Sequence, residues 1–115
     1  MSKNYVDDER RWSDWMARAQ RGDLGDYELL LREIGAAIEI YIRVRFGTID
    51  MLEDCVQECL LAVHAARHTY DPRRLFRPWF FTIVRHKTID QLRQRRTWSS
   101  AMEASAHRPV DSDSD

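Results

Sequence analysis

Gly22, Gly47 and the Asp71-Pro72 step divide this chain into four stretches, and each stretch repeats its apolar residues with the 3.6-residue period of a helix. Glycine ends helices by taking backbone angles other residues avoid, and proline removes an amide donor while restraining the residue before it. No segment alternates with period two, so no sheet is expected and the fold class is all-α.

The first stretch, from about Asp8 to Arg21, places Trp12, Trp15, Met16 and Ala19 on one face. The second, from about Asp26 to Phe46, does the same with Tyr27, Leu30, Leu31, Ile34, Ile38 and Tyr41, and Gly47 suits a left-handed cap. Gly35 interrupts that helix at a cost of about 1 kcal/mol relative to alanine, which points to a close helix crossing. The third opens with Asp50 and Glu53 in capping-box spacing and runs through Leu52, Cys55, Val56, Cys59, Leu60 and Val63 to about Arg67. A loop from His68 to Arg77 follows. Pro78 then starts a fourth helix carrying Phe80, Phe81, Ile83, Val84, Ile89 and Leu92 as far as about Arg96. At 115 residues the chain supports one domain, which folding buries to roughly 65%. Residues 1–98 are read as that domain, and the small, polar and finally acidic 99–115 as a linker or disordered C-terminal tail.

Charge divides the chain further. Between Asp71 and Trp98, eight cations face two acids, a balance of +6, while the remainder holds ten cations against seventeen acids, or −7. The whole-chain value of −1 conceals this asymmetry, which implies a polyanionic partner for one part and a basic partner for another. Arginines release counterions when they neutralise phosphates, and interleaved aromatic rings stack on unpaired bases. The apolar residues of the fourth helix have core spacing, whereas its arginines exceed what a solvated face needs. The acidic face of the third helix (Glu53, Asp54, Gln57, Glu58, with Leu61) fits a basic helix, although such a face taken alone is more often simply solvated.

Other functions find little support. Cys55 and Cys59 at i, i+4 hold their Cβ atoms about 5–6 Å apart, too far for a disulfide, and read as reduced core residues. A zinc site from Cys55, Cys59, His64 and His68 fails because about 180° and 220° of helix rotation separate the two histidines from Cys55. No glycine-rich phosphate loop or nucleophile motif is present, so neither enzymatic activity nor a cofactor is expected. There is no apolar run near the ~20 residues that span a bilayer and no secretory signal at the N-terminus, so no membrane insertion and a cytoplasmic location are expected.

Taken in order, the motifs ED-x-x-QE (Glu53, Asp54, Gln57, Glu58), F-x-x-W (Phe76, Trp79), I-x-R (Ile83, Arg85) and I-D-x-L-R (Ile89, Asp90, Leu92, Arg93) resemble region 2 of bacterial sigma factors of the extracytoplasmic-function (ECF) group. The segment WMARAQRGDLGDYELLLREI is similar to that family's N-terminal opening, and in all the likeness covers about residues 12 to 96. It implies a compact four-helix domain that docks on core RNA polymerase and recognises and melts the promoter minus-ten element.

By this resemblance Glu53, Asp54, Gln57, Glu58 and Leu61 meet the clamp helices of the β′ subunit. The loop Thr69 to Phe76 captures a flipped base of the non-template strand, and the last helix follows the adjoining DNA backbone. Arg73, Arg74, Arg77, Arg85, His86, Lys87, Arg93 and Arg96 are then the DNA-binding candidates, with Trp79 open to either core packing or a strand-facing role. An anti-sigma regulator is a further expected partner, and a module serving mainly that regulator, with DNA binding weak or lost, is the alternative reading. Two departures stand out: His86 replaces a frequent asparagine, making the contact there different and pH-sensitive, and Gln94 replaces a frequent arginine. The family's second helical domain has no counterpart after Trp98, which reads as excision from a longer protein in preference to a naturally short form.

Overall fold

The computed structural model describes residues 2–104, with side chains described for 6–96. Four α-helices make up the fold: α1 (Ser2–Gln20), α2 (Tyr27–Phe46), α3 (Leu52–Ala65) and α4 (Phe76–Ala104), with a 3-10 turn, Arg67–Thr69, after α3. No strand occurs among the described residues. The α3–α4 seam is the most extensive contact, α2 packs on α3, and α1 crosses both α2 and α4.

The four apolar stripes converge on one core. Trp12, Met16 and Ala19 from α1 meet Leu30, Ile34, Ile38 and Ile42 from α2, Cys55, Cys59 and Val63 from α3, and Phe76, Phe80 and Val84 from α4. Each large side chain so buried contributes about 1.5–3 kcal/mol relative to exposure. Trp12 lies edge-on to Phe76 and Phe80, with ring centroids 6.0 and 5.9 Å away, so α1 is keyed into the start of α4.

Polar ties fix how α1 sits. Glu33 of α2 accepts hydrogen bonds from Arg11 Nη2 at 2.8 Å and Trp12 Nε1 at 2.9 Å. Burial pushes the Glu33 carboxyl up, but these bonds and the Arg11 charge outweigh it and hold it below the usual range. The Gln20 amide donates to the carbonyls of Arg67 and Tyr70 at 2.8 and 2.7 Å, anchoring the end of α1 to the segment after α3. Glu9 caps α4: its carboxylate accepts the backbone N–H of Phe76 and, at 3.1 Å, that of Arg77. These are orphan donors at a helix N-terminus, where negative charge is also favoured by the helix dipole.

Several boundaries differ from the sequence expectation. α1 begins at Ser2 rather than near Asp8, because no breaker lies in between. α4 continues past Arg96 to Ala104, because Ala101, Met102, Glu103 and Ala104 are strong helix formers. Residues 99–104 therefore belong to the helix rather than to a linker, and 105–115 lie outside the described residues. The expected Asp50–Glu53 capping box does not form: the N-cap of α3 is Met51, in the left-handed conformation at φ 60°, ψ 43°, with no side-chain cap. Gly47 closes α2 at φ 79°, ψ −162°, a region open essentially to glycine alone, and not the left-handed cap expected.

Gly35 faces Leu60 across the α2–α3 crossing, but a methyl group placed there would meet the Leu60 side chain at 3.5 Å, an ordinary contact. The crossing does not require glycine. Gly35→Ala is accordingly expected to stabilise the domain by about 0.5–1 kcal/mol, read as a rise in the urea midpoint at unchanged slope.

Candidate functional site

The loop between the 3-10 turn and α4 is held from below. The buried Tyr70 hydroxyl donates to the Arg74 carbonyl at 2.5 Å and is paired with the Ser13 hydroxyl at 2.7 Å. Burial pushes the Tyr70 phenol up, keeping it a neutral hydrogen-bonding group. Trp79, half-buried, donates through Nε1 to Thr69 Oγ1 at 3.0 Å, and its ring sits 5.2 Å from Tyr70 and 5.4 Å from Phe76. It therefore packs beneath the loop while keeping one edge in solvent.

Above this floor the Asp71 carboxylate accepts the Arg73 backbone N–H at 2.9 Å, an Asx turn, and the Arg73 guanidinium at 3.1 Å, with Arg74 3.6 Å away. These hydrogen bonds, from the Arg73 side chain first and then its backbone, hold the Asp71 carboxyl down at about 2. The two arginine side chains remain 89% and 83% exposed. An exposed ion pair is weak and screened, so a phosphate can displace Asp71 while the backbone turn stays in place.

Along α4 the expected DNA residues separate. Arg85, His86, Arg93 and Arg96 are exposed and fall within about 100° of helix rotation, forming one outward face. Lys87 turns the opposite way and stands 3.9 Å from Glu58 of α3, so a residue expected at DNA meets one expected at the polymerase. Arg77 also leaves the outer face. Its guanidinium lies 5.1 Å from both the Trp12 and Phe81 rings, in an open groove of about 760 Å³ between α1, α2 and α4.

On α3, Glu53, Asp54, Gln57, Glu58 and Leu61 lie within about 140° of rotation, opposite the buried Cys55, Cys59 and Val63. Glu53, Asp54 and Gln57 are exposed, Glu58 is half-buried beside Lys87, and Leu61 is 61% exposed. The acidic face and the cationic face are thus borne on adjacent, mutually packed helices.

Sequence reasoning missed the residues that build the loop. Tyr70, Ser13 and Glu9 act across 57 to 68 positions of chain and carry no local signature. Asp71 was readable in principle, since Asp-Pro-Arg is turn chemistry. The four residues weighed for zinc do not assemble: His64 Nδ1 is paired with the Tyr27 hydroxyl at 2.8 Å, and no cluster of three or more potential ligands occurs among the described residues. No helix among those residues is long and apolar enough to cross a membrane.

Residues 37–97 match the family model described as Sigma-70 region 2. The chain is 37% identical over 92 residues to the ECF RNA polymerase sigma factor SigF of Caulobacter vibrioides, an alignment covering 79% of this chain and 51% of that protein. It is 29% identical over 89 residues to the ECF RNA polymerase sigma factor RpoE of Cereibacter sphaeroides, covering 73% of this chain and 49% of the relative. The chain thus spans about half the length of these two relatives. No solved structure matches it significantly.

Proposed function

The chain belongs to the sigma-70 region 2 family, of the ECF type, and from that premise we propose that residues 1–98 dock on core RNA polymerase and hold the opened minus-ten element of a promoter. The outward face of α3, with Glu53, Asp54, Gln57, Glu58 and Leu61, receives the β′ clamp helices. The loop arginines Arg73 and Arg74 bind the non-template strand, and Arg85, His86, Arg93 and Arg96 follow the backbone beyond it. Arg77 and Lys87 support these faces from the side, Arg77 through the rings it covers and Lys87 through Glu58. The role is that of a transcription initiation factor acting in the cytoplasm, without catalysis of its own.

The observation that carries this reading is the loop: two nearly fully exposed arginines on a backbone locked by Tyr70, Asp71 and Ser13. Opening a duplex costs unstacking energy, and a protein without nucleotide hydrolysis recovers it only by binding the separated strand more tightly than the closed one. A preformed cationic loop lowers the ordering cost of that binding.

Selection from a randomised single-stranded pool is expected to yield a preferred sequence. For that oligonucleotide, the double substitution Arg73→Ala, Arg74→Ala is expected to weaken binding about 30-fold, or about 2 kcal/mol, at low salt. The slope of log K against log salt should flatten by about 0.7 for each lost phosphate contact. Unchanged affinity removes the loop from the mechanism.

A second reading rests on Leu61, a large apolar side chain exposed within the acidic face. An anti-sigma regulator covering α3 would bury it and compete with β′. Under that reading the chain serves mainly the regulator, and a salt-dependent gel shift shows no preference among sequences.

A further inference from the structure

Thr88 is the one polar side chain fully buried among the described residues, and it lies between the two cysteines. Its hydroxyl oxygen is 3.9 Å from Cys55 Sγ and 3.6 Å from Cys59 Sγ, and Cys59 Sγ is 3.8 Å from the Val84 carbonyl. Two thiols and a hydroxyl thus meet among the buried side chains of the α3–α4 seam. They sit directly behind Gln57 and Leu61, about half a turn of rotation away on the same helix.

The first turn of α3 is weakly closed. Its N-cap, Met51, is held at φ 60° and ψ 43° without a side-chain cap, a conformation that costs about 1–2 kcal/mol in a residue with a Cβ. The Cys55 amide donates to the Met51 carbonyl at 3.0 Å, so fraying of that turn uncovers Cys55 first. The thiols are also unequal: the hydrogen bond from Cys59, with help from Thr88 and the Arg95 charge, lowers Cys55 to about 7, whereas the same bond and burial push Cys59 up. Cys55, the first of the two that fraying of this turn exposes, is the nucleophile of the pair.

We propose that Cys55 and Cys59 form a peroxide-sensitive thiol pair whose oxidation to a local disulfide unwinds the N-terminal half of α3 and dismantles the face that carries Asp54, Gln57 and Glu58. The Cys55 thiolate attacks a hydroperoxide oxygen, giving a sulfenic acid and releasing water (or an alcohol). The Cys59 thiol then attacks that sulfur, and a second water leaves. Two electrons and two protons pass from the thiols to the peroxide.

Helical i, i+4 spacing keeps the Cβ atoms about 5–6 Å apart while a disulfide needs about 3.5–4.5 Å, so bond and helix exclude each other. A disulfide opposed in this way by helix formation is readily reduced, which makes the change reversible. The loss of polymerase docking rests on the role proposed above for α3; the thiol chemistry and the unwinding do not.

The test treats the purified reduced chain with graded hydrogen peroxide and follows three readouts: peptide mapping of the thiols, the far-ultraviolet helical signal, and binding of a β′ clamp-helix fragment. The expected result is a Cys55–Cys59 link, loss of helical signal equal to about half of the 14 residues of α3, and at least tenfold weaker fragment binding, all restored by dithiothreitol. Cys55→Ala and Cys59→Ala should keep both helix and binding under the same treatment, and the wild-type readouts carry the test even where a variant folds poorly. Thiols that stay reduced, or a link that forms with the helical signal unchanged, overturn the proposal. A link with unwinding in a chain whose reduced form never bound the fragment leaves the thiol switch standing and sinks the docking role.

Discussion

Asp54→Arg is expected to reduce affinity for a β′ clamp-helix fragment at least about 100-fold, or about 2.7 kcal/mol, while the domain stays folded. Asp54 lies in the first turn of α3, exposed, with Gln57 and Leu61 on its flank and no described ion pair to lose within the protein. The fold therefore forfeits only a favourable carboxylate at a helix N-terminus, about 0.3–1 kcal/mol, and gains an unfavourable cation of similar size. At the interface the balance differs. Removing one partner of a desolvated charge pair costs about 2–5 kcal/mol, and a cation set against a basic clamp adds repulsion.

Titration of the fragment against wild-type and variant chains, with helical spectra of both, checks the prediction. Full binding by a folded Asp54→Arg chain would relocate the docking surface away from α3.

The division between these two costs explains what was readable in the sequence. Helices at α1 to α4 follow from apolar spacing and from Gly22, Gly47 and Asp71-Pro72, all local signals. The acidic and cationic groups were equally visible as composition. Their facing was not, because it depends on which side of α4 the core claims: Phe76, Phe80, Val84 and Thr88 point inward, which sends Lys87 toward Glu58 and Arg77 onto Trp12. Capping misled for the same reason. Asp50 has the right spacing, but the helix starts one residue later than its side chain could serve, and the stronger cap in the molecule, Glu9 on α4, arrives from another helix.

Phe76→Ala is expected to cost about 3–5 kcal/mol of folding stability, out of the roughly 5–15 kcal/mol available to a domain of this kind. Phe76 is fully buried, with ring centroids 5.3 Å from Tyr70, 5.4 Å from Trp79 and 5.5 Å from Phe80. Its own amide is the one Glu9 caps, so a cavity here loosens the anchor of α1, the start of α4 and the floor of the arginine loop together. Phe76 stands in the F-x-x-W pair by which the sequence resembles the family, at the end of the loop expected to capture a base. Its burial argues instead that it acts through the loop. A fall in the urea midpoint at unchanged slope measures the cost. Phe76→Leu separates the two roles: keeping most of the apolar volume, it should retain most of the stability and nearly all of the single-strand affinity, whereas a ring that stacks directly on a base would lose about 1–3 kcal/mol of binding in a fully folded chain.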